Sequence, residues 1–144
     1  MANPTLFATS CIMLAGHLIL VCLMSNSPLP LLVIYVVGPL TSVWNHGTTS
    51  DIAKWSDRCV MTLGLGIDLW FLSHDISGAW PRITMVALFL SWALVLFFGG
   101  KVCMKRSDDT KEDILESLPH AIAHICILLS HVCMLYYYRE SLLS

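Results

Sequence analysis

Two pairs of residues in this chain sit one helical turn apart: Ser42 with His46, and His120 with His124. A His-x-x-x-His pair puts two imidazoles on one helix face, the geometry that two ligands sharing a metal require. A third imidazole, His46, from another helix would leave one tetrahedral position for water, which is the layout of a catalytic zinc site. Zinc lowers the pKa of bound water towards about 7. Asp57, ten intervening residues beyond His46, could then take the water's proton, and Ser42 could donate a hydrogen bond to a developing oxyanion. The chemistry implied is hydrolysis of an amide or ester.

Each residue taken alone has a plainer use. Two histidines near a membrane surface can bond to carbonyls or headgroups, a serine can pack one helix against another, and an aspartate suits the first turn of a helix. Only the set argues for function. Asp68, three turns beyond Asp57, and His131, seven residues after His124, lie near the same faces but deeper, and read as buried polar partners. His17, in the first apolar run, reads as an interhelical hydrogen-bond partner or as support for a metal ligand.

The elements that must carry these groups are membrane-like. Of 144 residues, 56% are hydrophobic and 12% charged, and the mean hydropathy is +0.72, outside the range of an ordinary soluble domain. The net charge of -2 and the lack of a basic tract exclude a nucleic-acid partner. The six cysteines form no C-x-x-C pair and mostly lie in apolar runs, so no disulfide framework is expected. No Asn-x-Ser/Thr acceptor is available, because proline follows Asn3 and occupies the third position of the Asn26-Ser27-Pro28 triplet.

Five spans are expected, at about 6–24, 31–46, 57–72, 83–98 and 118–138, in a single all-α transmembrane domain covering 1–144. The first lacks a basic leader and a cleavage site and reads as a retained helix. Gly38-Pro39 is expected to kink the second, and Asp57 to open the third. Trp44, Trp55, Trp80 and Trp92 and the Tyr136–Tyr138 cluster suit interface or packing positions. Residues 101–117 hold half of the charged residues and form the one long polar loop.

Threading five spans puts Ser42, His46, Asp57, His120 and His124 near one membrane face. That side carries Lys54, Arg58, Lys101, Lys105, Arg106 and Lys111, against Arg82 and Arg139 opposite, which makes it cytoplasmic, with the amino terminus.

At these residues the chain resembles the CREST superfamily of membrane hydrolases, which includes alkaline ceramidases and the adiponectin and progestin receptor family. The matching pieces are Ser42-Val43-Trp44-Asn45-His46, then Asp57, then His120-Ala121-Ile122-Ala123-His124, and His46-Gly47-Thr48-Thr49 echoes the segment after the first histidine. The resemblance covers about a third of the chain. Its members typically have seven spans, two more than expected here, and residues 1–10 contain no carboxylate to match the acidic calcium site of alkaline ceramidases. It implies a zinc-dependent, ceramidase-like hydrolase, cleaving an amide or ester bond of a lipid that enters sideways from the bilayer, in the endoplasmic reticulum or Golgi. His46, His120 and His124 would hold Zn2+, with Asp57 as base and Ser42 as oxyanion donor. The rival reading is a non-enzymatic membrane protein, with a structural metal or as a helical partner in a homo- or hetero-oligomer.

Single cysteines introduced near the amino terminus and within 105–113 of a cysteine-free variant are expected to be labelled from the same side of sealed vesicles. Labelling from opposite sides would rule out the five-span thread.

Overall fold

The computed structural model describes residues 3–23, 27–74, 80–104 and 114–143. They form five helices: α1 (Pro4–Leu23), α2 (Leu29–Gly47), α3 (Asp51–His74), α4 (Trp80–Met104) and α5 (Ile114–Leu143). The fold is all-α, as the composition requires.

The helix starts follow from local chemistry. Asn3 caps α1, its Oδ1 accepting the Leu6 amide at 2.9 Å, and Pro4 occupies the first turn, where no amide donor is needed. Pro28 and Pro30 play the corresponding part at the start of α2. Ser50 precedes α3 and its Oγ accepts the Ala53 amide at 3.4 Å.

Three boundaries differ from the sequence expectation. α3 opens at Asp51, so Asp57 lies nearly two turns inside the helix rather than at its start. α4 runs through Gly99-Gly100 to Met104, and α5 begins at Ile114, so the polar loop is shorter than 101–117 at both ends. Residues 105–113 lie outside the described residues. Pro119 is therefore a proline inside α5, five residues from its start, not a first-turn residue. Helical propagation carries on through polar residues where water can solvate their side chains, which hydropathy alone does not register.

The outer surface and the interior are inverted relative to a water-soluble bundle. Ile12, Ile19, Leu63, Trp92 and Phe98 each expose more than half their surface, whereas Ser10, His17, Ser42, Asp68, His124, Ser130 and His131 are buried. In lipid this is the favourable arrangement, since apolar side chains can face the hydrocarbon and polar groups must find partners inside. By length and composition α1, α2 and the Ser117–Tyr138 part of α5 are able to cross a membrane, and α4 has an apolar stretch at Val86–Gly99. α3 is less apolar because it carries Asp51, Lys54, Asp57, Arg58 and Asp68.

The helices pack as an open row, α3 on α2, α2 on α1, α1 on α5 and α5 on α4. An apolar core of Leu31, Ile34, Tyr35, Phe71, Leu72, Val86, Leu90, Met134 and Leu135 closes one end of the bundle. These residues come from the beginnings of α2 and α4 and the ends of α3 and α5. The opposite end of the same helices holds His46, Asp57 and His120. Between the ends is a cavity of about 400 Å³, flanked by α3 (Met61, Leu65) and by α4 (Leu94, Phe97).

α1 and α5 approach closely at Gly16, where an added Cβ would lie 2.6 Å from Leu128 Cδ2. Gly16→Ile is expected to destabilise the bundle by about 1–3 kcal/mol through overpacking. Combining it with Leu128→Ala should cost less than the sum of the single changes in a denaturation series in detergent. Strict additivity would show that the two residues do not meet.

Candidate metal centre

α2 and α5 bring together the three histidines that the sequence singles out. One ring nitrogen from each of His46, His120 and His124 lies within 4.8 Å of the others. Their ring centroids are 5.1 Å apart for His46 and His120, 5.5 Å for His46 and His124, and 4.9 Å for His120 and His124. His46 and His124 are buried and His120 is half-buried. The i, i+4 spacing supplies the second pair, and helix packing supplies His46.

Two observations fit these rings to a metal. The Nε2 of His46 is buried with no hydrogen-bond partner among the described residues. A buried lone pair or N–H left unmatched is costly, and a cation drawing on a lone pair would remove that cost. The second observation accommodates the tautomer that a metal needs. Thr9 Oγ1 lies 3.1 Å from the carbonyls of both Thr5 and Leu6, and 3.1 Å from His124 Nδ1. A hydroxyl has one hydrogen, and the carbonyls can only accept. When that hydrogen goes to a carbonyl, the Thr9 oxygen accepts the Nδ1–H of His124. The lone pair of His124 is then at Nε2, where a metal would take it.

Ser42 stands beside this nitrogen, with Oγ 3.5 Å from His124 Nε2 and 3.0 Å from Ser10 Oγ. Asp57 lines the same cavity as Ser42, His120 and His124. Its carboxylate is bonded to α2, accepting from Asn45 Nδ2 at 2.9 Å and from Thr41 Oγ1 at 3.4 Å. Thr41 and Asn45 are one turn apart and adjoin Ser42 and His46 in sequence, so the same two turns of α2 carry both groups.

The contribution of α1 was not visible in the sequence. Besides Thr9 and Ser10, Asn3 donates through Nδ2 to Ser117 Oγ at 3.0 Å, and its backbone amide reaches the His46 carbonyl at 3.4 Å. Asn3 thus joins the first turn of α1 to the end of α2 and to α5, at the level of the three histidines. Next to it, Gly47 leaves room for Phe7, since a Cβ there would lie 3.1 Å from the ring. From α4, Phe97 meets His120 nearly perpendicular, with centroids 4.9 Å apart. An Asn-Pro pair before an apolar run is the usual sign of a helix cap, and this was the one available hint of Asn3.

The remaining polar candidates gather elsewhere. His17, Asp68 and His131 bond to one another rather than to the three histidines, in agreement with a role as interhelical partners. Cys11, Cys22, Cys59, Cys126 and Cys133 are free thiols. No protein-family model, no curated protein and no solved structure matches this chain.

Proposed function

We propose that this chain is a zinc-dependent hydrolase that cleaves an amide or ester bond of a membrane lipid. The observation that carries the reading is the convergence of His46, His120 and His124 with the Ser42 hydroxyl set against His124. Zinc bound by these imidazoles would supply a Lewis acid and a nucleophilic water near neutral pH.

The chain's own groups would do the rest. Asn45 and Thr41 hold the Asp57 carboxylate in one orientation, from which it accepts a proton. With Ser10 donating to Ser42, the Ser42 hydrogen is free to bond an oxyanion. The cavity is largely walled by apolar side chains such as Met61, Leu65, Leu94 and Phe98, which suits a hydrocarbon chain. It lies between α3 and α4, the two ends of the helix row, so a lipid would enter sideways between them. The resemblance to the CREST hydrolases supports the same chemistry. With it go a cytoplasmic amino terminus and a place in the endoplasmic reticulum or Golgi membrane, with the chain acting alone or in a homo- or hetero-oligomer.

One observation favours a rival. Both Asp57 oxygens are already engaged by α2, as they would be in a non-catalytic relative that keeps the metal as a staple. Elemental analysis and turnover in five variants separate the two readings. The purified protein should hold about one zinc per chain, and His46→Ala, His120→Ala and His124→Ala should each lose it. Ser42→Ala and Asp57→Asn should keep the metal while turnover falls, about 10²–10³-fold for the serine and 10²–10⁴-fold for the aspartate. Thr9→Val, which removes the oxygen that orients His124, should weaken zinc binding about 10–100-fold. Histidine variants that keep full zinc, or a wild type that never binds any, would dismiss the metal site.

Against a broad panel of amide- and ester-linked lipids, the wild type should release fatty acid in a reaction abolished by chelation. Stoichiometric zinc with no chelator-sensitive product would move the assignment to the structural-metal rival.

A further inference from the structure

Below the three histidines, a second polar chain crosses the bundle from α1 to α3. His17 Nδ1 lies 2.7 Å from the Met13 carbonyl, and His17 Nε2 lies 2.7 Å from His131 Nδ1. His131 Nε2 lies 2.9 Å from Asp68 Oδ2. All three residues are buried, and Tyr35 stacks on His131 with centroids 4.0 Å apart and planes 18° apart.

Counting hydrogens along this chain gives a definite result. The Met13 carbonyl can only accept, so His17 carries its hydrogen on Nδ1. If His17 is neutral, its Nε2 is a lone pair, and the hydrogen in the next link belongs to His131 Nδ1. If His131 is neutral too, its Nε2 is bare and faces a carboxylate oxygen across 2.9 Å, lone pair against lone pair. The last link therefore needs a hydrogen of its own. Three links need three hydrogens, whereas two neutral imidazoles and a carboxylate bring two.

We propose that Asp68, His131 and His17 form a proton relay that holds one proton beyond its neutral-imidazole complement, at the floor of the cavity. The extra proton has three places to sit. On His131 it makes an imidazolium paired with the Asp68 carboxylate. Transfer from His131 Nδ1 to His17 Nε2 breaks one N–H bond, forms another and moves the positive charge from α5 to α1. Transfer from His131 Nε2 to Asp68 leaves both rings neutral beside a carboxylic acid. Each step is a proton shift across a single hydrogen bond and needs no other reactant.

The surroundings suit this role. Asp68 and His131 line the cavity, and Asp68 Oδ1 is buried without a hydrogen-bond partner among the described residues, so one carboxylate oxygen remains for exchange. The ionisable groups that face one another here are His17 on α1, Tyr35 on α2, Asp68 on α3 and His131 on α5. From α4 the neighbouring core contributes Val86 and Leu90, which carry no charge. Arg58 lies on the same cavity wall, ten residues from Asp68, or about 15 Å along α3. Intramembrane aspartate-histidine chains of this kind are where proton movement is expected. The inference stands apart from the hydrolase reading, because none of its three residues contacts His46, His120 or His124 through a bond described above.

Magnetic resonance of the full chain with ring-15N histidine in lipid bilayers, together with infrared spectra, tests it. The wild type should show a nitrogen-nitrogen coupling between His17 and His131, and the extra proton should appear either as a third ring proton on this pair or as a protonated carboxyl band. Asp68→Asn should lose that proton, leaving one on each ring, and His120→Ala should leave the relay signals unchanged. Two neutral rings with no protonated carboxyl in the wild type would overturn the proposal, and this result is decisive even if Asp68→Asn fails to fold. Relay signals that vanish in His120→Ala would also overturn it, since they would then belong to the metal centre.

Discussion

A polar group buried behind an apolar outer surface has to be matched by another helix, because hydrocarbon offers no partner. This constraint organises the bundle, and α1 meets most of it. Its buried residues Leu6, Ser10, Met13 and His17 recur at spacings of four, three and four, the stripe that one helix presents to its neighbours. Two of the four are polar. Ser10 answers Ser42 on α2, His17 answers His131 on α5, and Thr9 beside the stripe answers His124. α1 has almost no amphipathic signature because its outer faces are apolar as well, yet it sets the orientation of groups on two other helices.

α5 is the counterpart. His120, His124 and His131 present imidazoles at successive depths, so one helix serves both the candidate metal centre and the relay. The two sets use different partners. His124 is held by a threonine hydroxyl and stands near two other rings, whereas His131 is held by a ring and a carboxylate. A carboxylate partner supplies charge and proton exchange, and a hydroxyl that is already donating elsewhere supplies neither. It only fixes which nitrogen is bare, which is what a ligand histidine needs.

How far the site was legible follows from the range of each signal. The helix-turn pairs Ser42/His46 and His120/His124 could be read because their spacing is local, and threading the spans alternately put them on one face. The meeting of His46 with His124 is tertiary, but alternation made it predictable. Thr9 and Ser10 were not legible as site residues, since a hydroxyl in an apolar run has no periodic signature and its partner lies about 30 or 115 residues away. Asp57 was legible as a candidate, but its place in α3 was not. The charges before it suggested a loop, and the helix includes them.

α3 shows why composition alone misjudges a helix of this kind. Asp51, Lys54, Asp57 and Arg58 fall within its first two turns, where a membrane surface can solvate them, and Arg58 lies 5.0 Å above the Trp55 ring. From Cys59 to Leu72 the described helix has one charged residue, Asp68, and that charge is matched by His131. Each ionisable group is thus either at the surface or paired, and the remaining side chains are free to face lipid or cavity. α3 also packs broadly on α2 alone, so its opposite side is left to the cavity. Of the two helices that flank the cavity, α3 is the one with acidic groups at both levels of its wall. This distribution places Asp57 at the cavity mouth and Asp68 at its floor, with apolar wall between them.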